Sequence, residues 1–495
     1  MRRKWAMVAA LWAWLLAIGL THLTDRSPYS YGWAMFDGWS SRINGAVVNG
    51  DAQMVKSITL FFYEGSPVAW TEAQNMRLPL HSFVSSLASA FTHSYLIGSF
   101  IAGFLFAMLF AYAGVNFGER VGVRRPATLL TLMIAFTLPI YVEYIGQPMQ
   151  YVLGTMVNWL TFLAVLALED DDARNPWILG LATAIFTLNY DPYVWLGALV
   201  TYVLAVRRFA RKRDYAFYAI AALVPTLVWS AWLRKASHDT MSTELRQRFI
   251  RPVLSAWYQF VKHPIEHALQ PFVATHIGLH AGVHQILAMV PWPVLLVAIV
   301  LLLRLRPRIG TPWLLVALVP CFYFLEQCLA DGWDWELNPR RAVPVALAAL
   351  VAYGYVAHRL WDDRRWRAAF IAVAAICGFL AFADTLLRQP VLAYLHTGQA
   401  IRMTPQEAIR VEQLRLDTSS MRTLQKDDPY LVWRDLGAAR FHREQLGNII
   451  FAQLFVLALL TGCLWLVARA RLVPRWLPLA GIGVWLLSAM RFAQF

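Results

Sequence analysis

Asp51 and Arg77 are the residues of the N-terminal region best placed to do chemistry. They sit in the stretch 49–83, NGDAQMVKSITLFFYEGSPVAWTEAQNMRLPLHSF. After Asp51, residues Met54, Val55, Ile58, Phe61 and Phe62 fall on one helical face, while Gln53, Lys56 and Ser57 fall elsewhere. That pattern predicts an amphipathic helix, which beside a membrane lies flat with its apolar face down. Gly65-Ser66-Pro67 ends it. Beyond Arg77-Leu78-Pro79-Leu80, residues Phe83, Val84, Leu87, Ala88 and Phe91 repeat the pattern. Asp51 therefore stands just before one interface helix and Arg77 just before a second. A carboxylate there can act as general base towards a hydroxyl within hydrogen-bond reach. An arginine beside free backbone N–H groups suits a phosphate. The plainer reading makes Asp51 an N-cap and Arg77 a snorkelling cation. Spacing alone leaves both readings open.

Other polar side chains gather near the predicted outer ends of apolar runs. Glu64 and His81 lie in the first polar segment, and Glu143, Asn189, Asp191, Glu326, Asp334 and Asp384 lie at run ends. An acid at a membrane boundary is expensive unless it faces a cavity or a partner, so their collection on one side fits a pocket. The competing view is that run ends are wet and acids there are ordinary. Glu326 is the sharpest of the set, because CFYFLEQCL surrounds it with apolar residues.

The histidines also have a pattern. His263 and His267 are four apart, and His276, His280 and His284 are four apart twice. At that spacing side chains share a helix face, which permits a divalent metal site such as zinc, with Glu266 as a further ligand. Gly278, Gly282, Pro264 and Pro271 weaken the helix such a site needs. Interface histidines, or contacts to a sugar or phosphate, are the other readings, and no cofactor is required by the pattern. Cys321, Cys328, Cys377 and Cys463 all fall in apolar runs and read as buried thiols. No P-loop, GxGxxG, GxSxG or paired CxxC occurs in a credible setting.

The elements that must position these residues are membrane spans. The 495-residue chain is 58% hydrophobic and 15% charged, below the quarter or so expected of a soluble domain. About 13 apolar runs have the length of transmembrane helices, near 5–20, 95–116, 126–142, 148–168, 176–190, 192–206, 215–233, 285–303, 312–330, 341–358, 368–386, 448–467 and 476–491. The N-terminal run reads as a retained span rather than a cleaved signal, since no clear cleavage site follows it. With Met1 inside, the inner loops include GERVGVRRP, RRFARKRD, RLRPRIG, WDDRRWR and ARARLVPR. Each carries cations next to a span, as the positive-inside rule requires. The inner loop EDDDARNP is acidic, but acids count little in that rule. The expected fold class is an all-α polytopic membrane protein, one integral membrane domain over 1–495.

Three polar segments then fall outside: a first outer loop at 21–94 with its two amphipathic helices, a His-rich loop at 234–284, and a helical loop at 387–447. In the last, Thr404 reads as an N-cap, Pro405 as the first helical residue and Glu407 as the capping-box partner.

The net charge of +14 sits mostly in clusters beside apolar runs, and no basic stripe with stacking aromatics is present. Nucleic acid is therefore not an expected partner, whereas membrane lipid is. The 22 tryptophans belong largely to an aromatic belt. The excess of Arg over Lys is that of a GC-rich bacterial inner-membrane protein. The reading is a multi-pass inner membrane protein with its N-terminus cytoplasmic and its site on the periplasmic side.

The first outer segment resembles that of the GT-C superfamily of integral membrane glycosyltransferases, of the protein O-mannosyltransferase and aminoarabinose transferase type. The resemblance rests on Asp51, on Glu64-Gly65-Ser66-Pro67-Val68-Ala69-Trp70, and on Arg77-Leu78-Pro79-Leu80-His81-Ser82-Phe83. A later match is Asn338-Pro339-Arg340-Arg341-Ala342-Val343-Pro344 at a span end. Ala52 stands where that family usually has a second acid. The resemblance implies a GT-C-like fold, a sugar donor on polyprenyl phosphate, and a glycan, lipid or protein acceptor. It implies Asp51 as the base, Arg77 with Arg340 or Arg341 as holders of the lipid phosphate, and inversion at the sugar. A transporter or flippase for a lipid-linked glycan needs a polar path across the membrane, and the polar residues gather at one end instead. A glycan polymerase or ligase of another membrane fold fits the late 387–447 loop.

Overall fold

The computed structural model describes residues 2–23, 62, 79–92, 95–137, 150–186, 189, 193–206, 209–237, 300, 343–379 and 438–490. Every regular element among them is helical. In order these are α1 (Arg2–Leu23), α2 (Leu80–Thr92), α3 (Tyr95–Arg120), α4 (Arg125–Thr137), α5 (Gln150–Ala167), α6 (Pro176–Phe186), α7 (Tyr193–Thr201), α8 (Lys212–Ser237), α9 (Val343–Leu360), α10 (364–379), α11 (Ala438–Arg469) and α12 (Leu477–Ala489). A one-turn helix, Asp170–Ala173, precedes α6, and a π-helical turn, Tyr202–Val206, continues α7. Helix is the expected outcome for such apolar runs, because it satisfies each backbone N–H and C=O internally where no water is available.

Three of the described helices contain a stretch long and apolar enough to cross a membrane: Ile101–Arg120, Lys212–Trp232 and Gly447–Arg469. The expected runs 285–303 and 312–330 lie outside the described residues except for Val300. Within the expected runs 176–190 and 192–206 the described helices are α6, of 11 residues, and α7, of 9 residues with the π turn after it.

The bundle is held together by close approach as well as by bulk. Gly180 of α6 faces α8 so tightly that an added Cβ would lie 2.4 Å from Ala221 Cβ and 2.8 Å from the Tyr218 carbonyl oxygen. Gly462 of α11 takes Leu181 of α6 in the same way, with Leu181 Cδ2 at 3.3 Å from the position of such a Cβ. Small residues that let backbones approach are a usual device where lipid removes the hydrophobic drive between helices. Phe110, Phe136, Trp159, Phe162 and Trp195 interlock at the centre of α3, α4, α5 and α7, with ring centroids 5.4–6.2 Å apart.

Charged side chains of the link segments meet at one end of this bundle. Lys4 pairs with Glu119 at 3.8 Å, and Arg125 Nε reaches Glu119 at 3.0 Å. Arg120 donates to the Ala470 carbonyl at 2.8 Å and Asn116 to the Leu472 carbonyl at 2.6 Å. Arg124 forms a bidentate pair with Asp362, and its backbone N–H donates to His358 Nδ1 at 3.2 Å. Arg469 grips both carboxylate oxygens of Asp172 at 2.6 and 2.7 Å, and Arg471 pairs with Glu169 at 3.1 Å. The N-terminus and the α3–α4, α5–α6, α9–α10 and α11–α12 links therefore share one end, as the alternation of loops demands. The acidic EDDDARNP segment has a physical reason: two of its acids pair with arginines of ARARLVPR. The α3–α4 link turns on Gly122, whose φ of +75° few other residues adopt without strain.

Candidate functional site

The first outer segment is seen in the structure at Phe62 and from Pro79 onward. Pro79 opens α2, its carbonyl accepting the first helical bond from the Phe83 N–H at 2.8 Å. The helix occurs where the pattern predicts it, but its setting differs from a flat interface helix. Its apolar residues Leu80, Phe83 and Leu87 are buried, and so is its polar side: His81, Ser82, Ser85, Ser86 and Ser89. α2 lies in a slot against α3, α5, α11 and α12.

The reason is local hydrogen bonding. Ser86 Oγ donates to the Phe83 carbonyl at 2.6 Å and Ser89 Oγ to the Ser85 carbonyl at 2.7 Å. Hydroxyls bonded back to their own helix need no water, so a serine face can be buried at small cost. At Gly98 of α3 an added Cβ would sit 2.1 Å from Ser89 Oγ, so the serine side also sets how closely α2 and α3 pack.

His81 and Asn189 are the candidate site residues that the structure describes. His81 is buried, with Nδ1 3.5 Å from Ser85 Oγ. Burial away from water lowers its pKa to about 3, so the ring is neutral at physiological pH. A neutral buried imidazole keeps one donor and one acceptor nitrogen, which suits it to hold rather than to protonate.

Phe62, from the apolar face of the first predicted amphipathic helix, is fully buried. Its carbonyl accepts from Gln453 Nε2 of α11 at 3.0 Å, and its ring meets Phe83 edge-on at 5.5 Å. The segment that carries Asp51 and Arg77 is thus fastened to the bundle at Phe62 and again at α2. Gln453 lies about 24 Å along α11 from the charged end.

A second polar element lies deeper. Asn158 of α5 and Asn189, just past α6, are both buried, and Asn189 Nδ2 donates to Asn158 Oδ1 at 2.8 Å. Neither Asn158 nor Gln453 stands out at a run boundary, so a search for polar run ends passes over both. The signal for each is a lone amide inside an otherwise apolar run.

Asp51, Glu64, Arg77, Glu143, Asp191, Glu326, Asp334, Arg340, Arg341, His276, His280 and His284 lie outside the described residues, as do Asp384, His263, His267, Glu266 and the 404–407 helix start. Among the described residues no group of three His, Cys, Asp or Glu side chains is arranged to hold a metal ion. Cys377 and Cys463 are buried free thiols, while Cys321 and Cys328 lie outside the described residues.

No family model matches the chain, and no curated protein matches it in sequence. Among solved structures it is similar to ArnT from Cupriavidus metallidurans, crystallised bound to undecaprenyl phosphate. The TM-score is 0.43 at 16% identity, over 85% of this chain and 75% of that one.

Proposed function

We propose that this chain is a GT-C-type glycosyltransferase. It moves a sugar from a polyprenyl-phosphate donor to a hydroxyl acceptor at the outer face of the inner membrane. Asp51 takes the acceptor's proton as the acceptor oxygen forms its bond to the anomeric carbon. The bond from that carbon to the phosphate oxygen breaks, and its electron pair leaves with the lipid phosphate. Attack opposite the departing phosphate inverts the configuration. Arg77, with Arg340 or Arg341, holds the phosphate, whose charge grows as the bond breaks. A lipid phosphate is already a good leaving group, so no strong general acid is required.

The observation that carries this reading is the anchoring of the first outer segment. Phe62 is tied to Gln453, and α2 is sunk among four helices directly after the Arg77-Leu78-Pro79 sequence. Interface helices free to slide on a lipid surface would not hold a base and a phosphate-binding arginine in fixed relation. A segment pinned at two points supports such a relation.

The test is mass analysis of envelope glycans and glycoproteins from wild-type, deletion and Asp51→Asn strains at equal expression. The expected result is loss of the same sugar mass from both altered strains. If Asp51→Asn keeps a glycan that the deletion loses, Asp51 is a helix cap and the proposed mechanism fails. Arg77→Gln is expected to cost about 10²-fold in turnover, as removal of a charge-stabilising donor commonly does.

A further inference from the structure

A cavity lined entirely by described residues lies between α3, α4, α5 and α9. Its volume is about 80 Å³. Phe110, Gly114, Gly118 and Val121 mark its course along α3, over about 16 Å at 1.5 Å per residue. Half of a 30 Å hydrocarbon core is about 15 Å, so its length is the depth of one leaflet. So small a volume over that length makes a slot one chain wide. Glycine keeps it open. A Cβ on Gly118 would lie 2.5 Å from Thr128 Oγ1, and one on Gly354 2.8 Å from Thr131 Oγ1, so α4 is already tight against α3 and α9. The same two glycines add no side chain to the space beside those contacts.

The slot is apolar throughout. Its two hydroxyls are bonded back into α4, Thr131 Oγ1 to the Ala127 carbonyl at 2.7 Å and Thr128 Oγ1 to the Arg124 carbonyl at 3.4 Å. A buried water needs two to four polar partners, and this lining exposes almost no polar surface. The walls of an unfilled void forfeit dispersion contacts, so an apolar occupant gains by entering. The lining from α3, α5 and α9 is buried, whereas Val121 and Val123 are half-buried. Both valines belong to the α3–α4 link, so the slot opens at the charged end. The surroundings of that mouth are cationic. The segments 119–125 and 358–367 carry seven arginines against three acids. Those acids are in use: Glu119 pairs with Arg125, Asp362 with Arg124, and Asp363 Oδ1 accepts from the Arg365 backbone N–H at 2.8 Å. Exposed Arg359, next to His358, has no ion-pair partner among the described residues.

We propose that this slot binds one acyl chain of an anionic phospholipid from the leaflet at the charged end, with the lipid phosphate held by the arginines at the mouth. A straight methylene chain matches a slot one chain wide and one leaflet deep. A polyprenyl chain, with a methyl branch on every isoprene unit, is a poorer match to so narrow a space. Moving an acyl chain from bilayer to slot brings no hydrophobic gain, because both are apolar. The gain comes from the filled void and from the head group. Filling a void of about 80 Å³ corresponds to up to about 25-fold in occupancy. Basic sites between helices at the cytoplasmic face favour anionic head groups. The site stands whether or not the chain transfers a sugar, and its test does not read transfer.

The test is photo-crosslinking of the full chain, in phosphatidylethanolamine vesicles, by phosphatidylglycerol carrying a diazirine midway along one acyl chain. Phosphatidylcholine and polyprenyl phosphate with the same group are run in parallel. Labelling of Phe117 and Leu350, both buried in the slot lining, reports the slot. Labelling of α8 at exposed Leu223 and Leu227 reports the lipid around the bundle. The expected result is saturable slot labelling by phosphatidylglycerol, at least about fivefold above that by phosphatidylcholine when each is set against α8. Val123→Trp plugs the mouth and is expected to lower slot labelling about tenfold while α8 labelling stays unchanged. Arg359→Gln is expected to lower slot labelling about fivefold, the worth of one cation near an anionic lipid. Slot labelling that tracks α8 for every lipid, or that survives Val123→Trp, would overturn the site. So would equal labelling by phosphatidylcholine, or preferential labelling by polyprenyl phosphate. If Val123→Trp does not accumulate, Val121→Trp takes its place, and the comparison of the three lipids on the native chain decides by itself.

Discussion

At the scale of the residue, His81 couples the first outer segment to pH. Its pKa falls from the ordinary 6.5 to about 3 on burial. Above pH 6.5 neither the folded nor the unfolded state binds the proton, and stability is undiminished. Below it the unfolded chain takes up a proton that the folded chain refuses, so stability drains away as pH falls from 6.5 towards 3. Between pH 6.5 and about 5 the loss is about 2 kcal/mol. Thermal unfolding of detergent-solubilised protein at these two values is expected to show it, and His81→Leu to remove that part of the pH dependence. An unchanged difference in His81→Leu would place the sensitivity on another group.

At the scale of the element, the α6–α8 contact tests how closely these two helices are held. Gly180→Ala puts a methyl where Ala221 Cβ and the Tyr218 carbonyl already stand, and backbone cannot move aside cheaply. The expected cost is about 1–3 kcal/mol, in the range for overpacking. It also loosens the Thr183–Tyr218 hydroxyl pair, 2.9 Å apart across the same contact. Adding Ala221→Gly removes the methyl-to-methyl clash and leaves the one with the carbonyl, so recovery is partial. A double-mutant cycle on denaturation midpoints measures the coupling. Additive costs would mean that the two helices are not in contact at Gly180.

At the scale of the whole molecule, one charged end ties five parts of the chain together. The Asp172–Arg469 pair closes α5–α6 against α11–α12, yet Arg469 is 43% exposed. Solvent therefore limits its worth to below about 1 kcal/mol. Asp172→Arg is expected to lower stability slightly more than Asp172→Ala, through repulsion with Arg469 and Arg471. The exchange Asp172→Arg with Arg469→Asp is expected to restore part of the loss, most visibly at low salt. Measured orientation stays unchanged in all three, because the cations that the positive-inside rule counts remain many at this end. Cysteine placed at exposed Asp363 is expected to react with an impermeant reagent in inverted vesicles and not in spheroplasts. The opposite pattern would reverse the proposed sidedness.

Much of this architecture follows from composition and period. Apolar runs bounded by arginines specify helices and their alternation, because lipid leaves the backbone no other partner than itself. Pro79 followed by Phe83 and Leu87 marks α2 for the same local reason. The chemistry proposed for Asp51, Arg77, Arg340 and Arg341 rests on sequence pattern together with the two anchor points of the first segment. Tertiary structure decided what local pattern could not. Both faces of α2 are buried, since serine hydroxyls satisfied within the helix can pack without water. Asn189, just past α6, is completed by Asn158 of α5, a partner that no local pattern names. Two acids of EDDDARNP, Asp172 and Glu169, are paired with arginines some 300 positions later. Each outcome depends on a partner distant in sequence, and periodicity along one helix carries no information about which distant side chain will complete its hydrogen bonds.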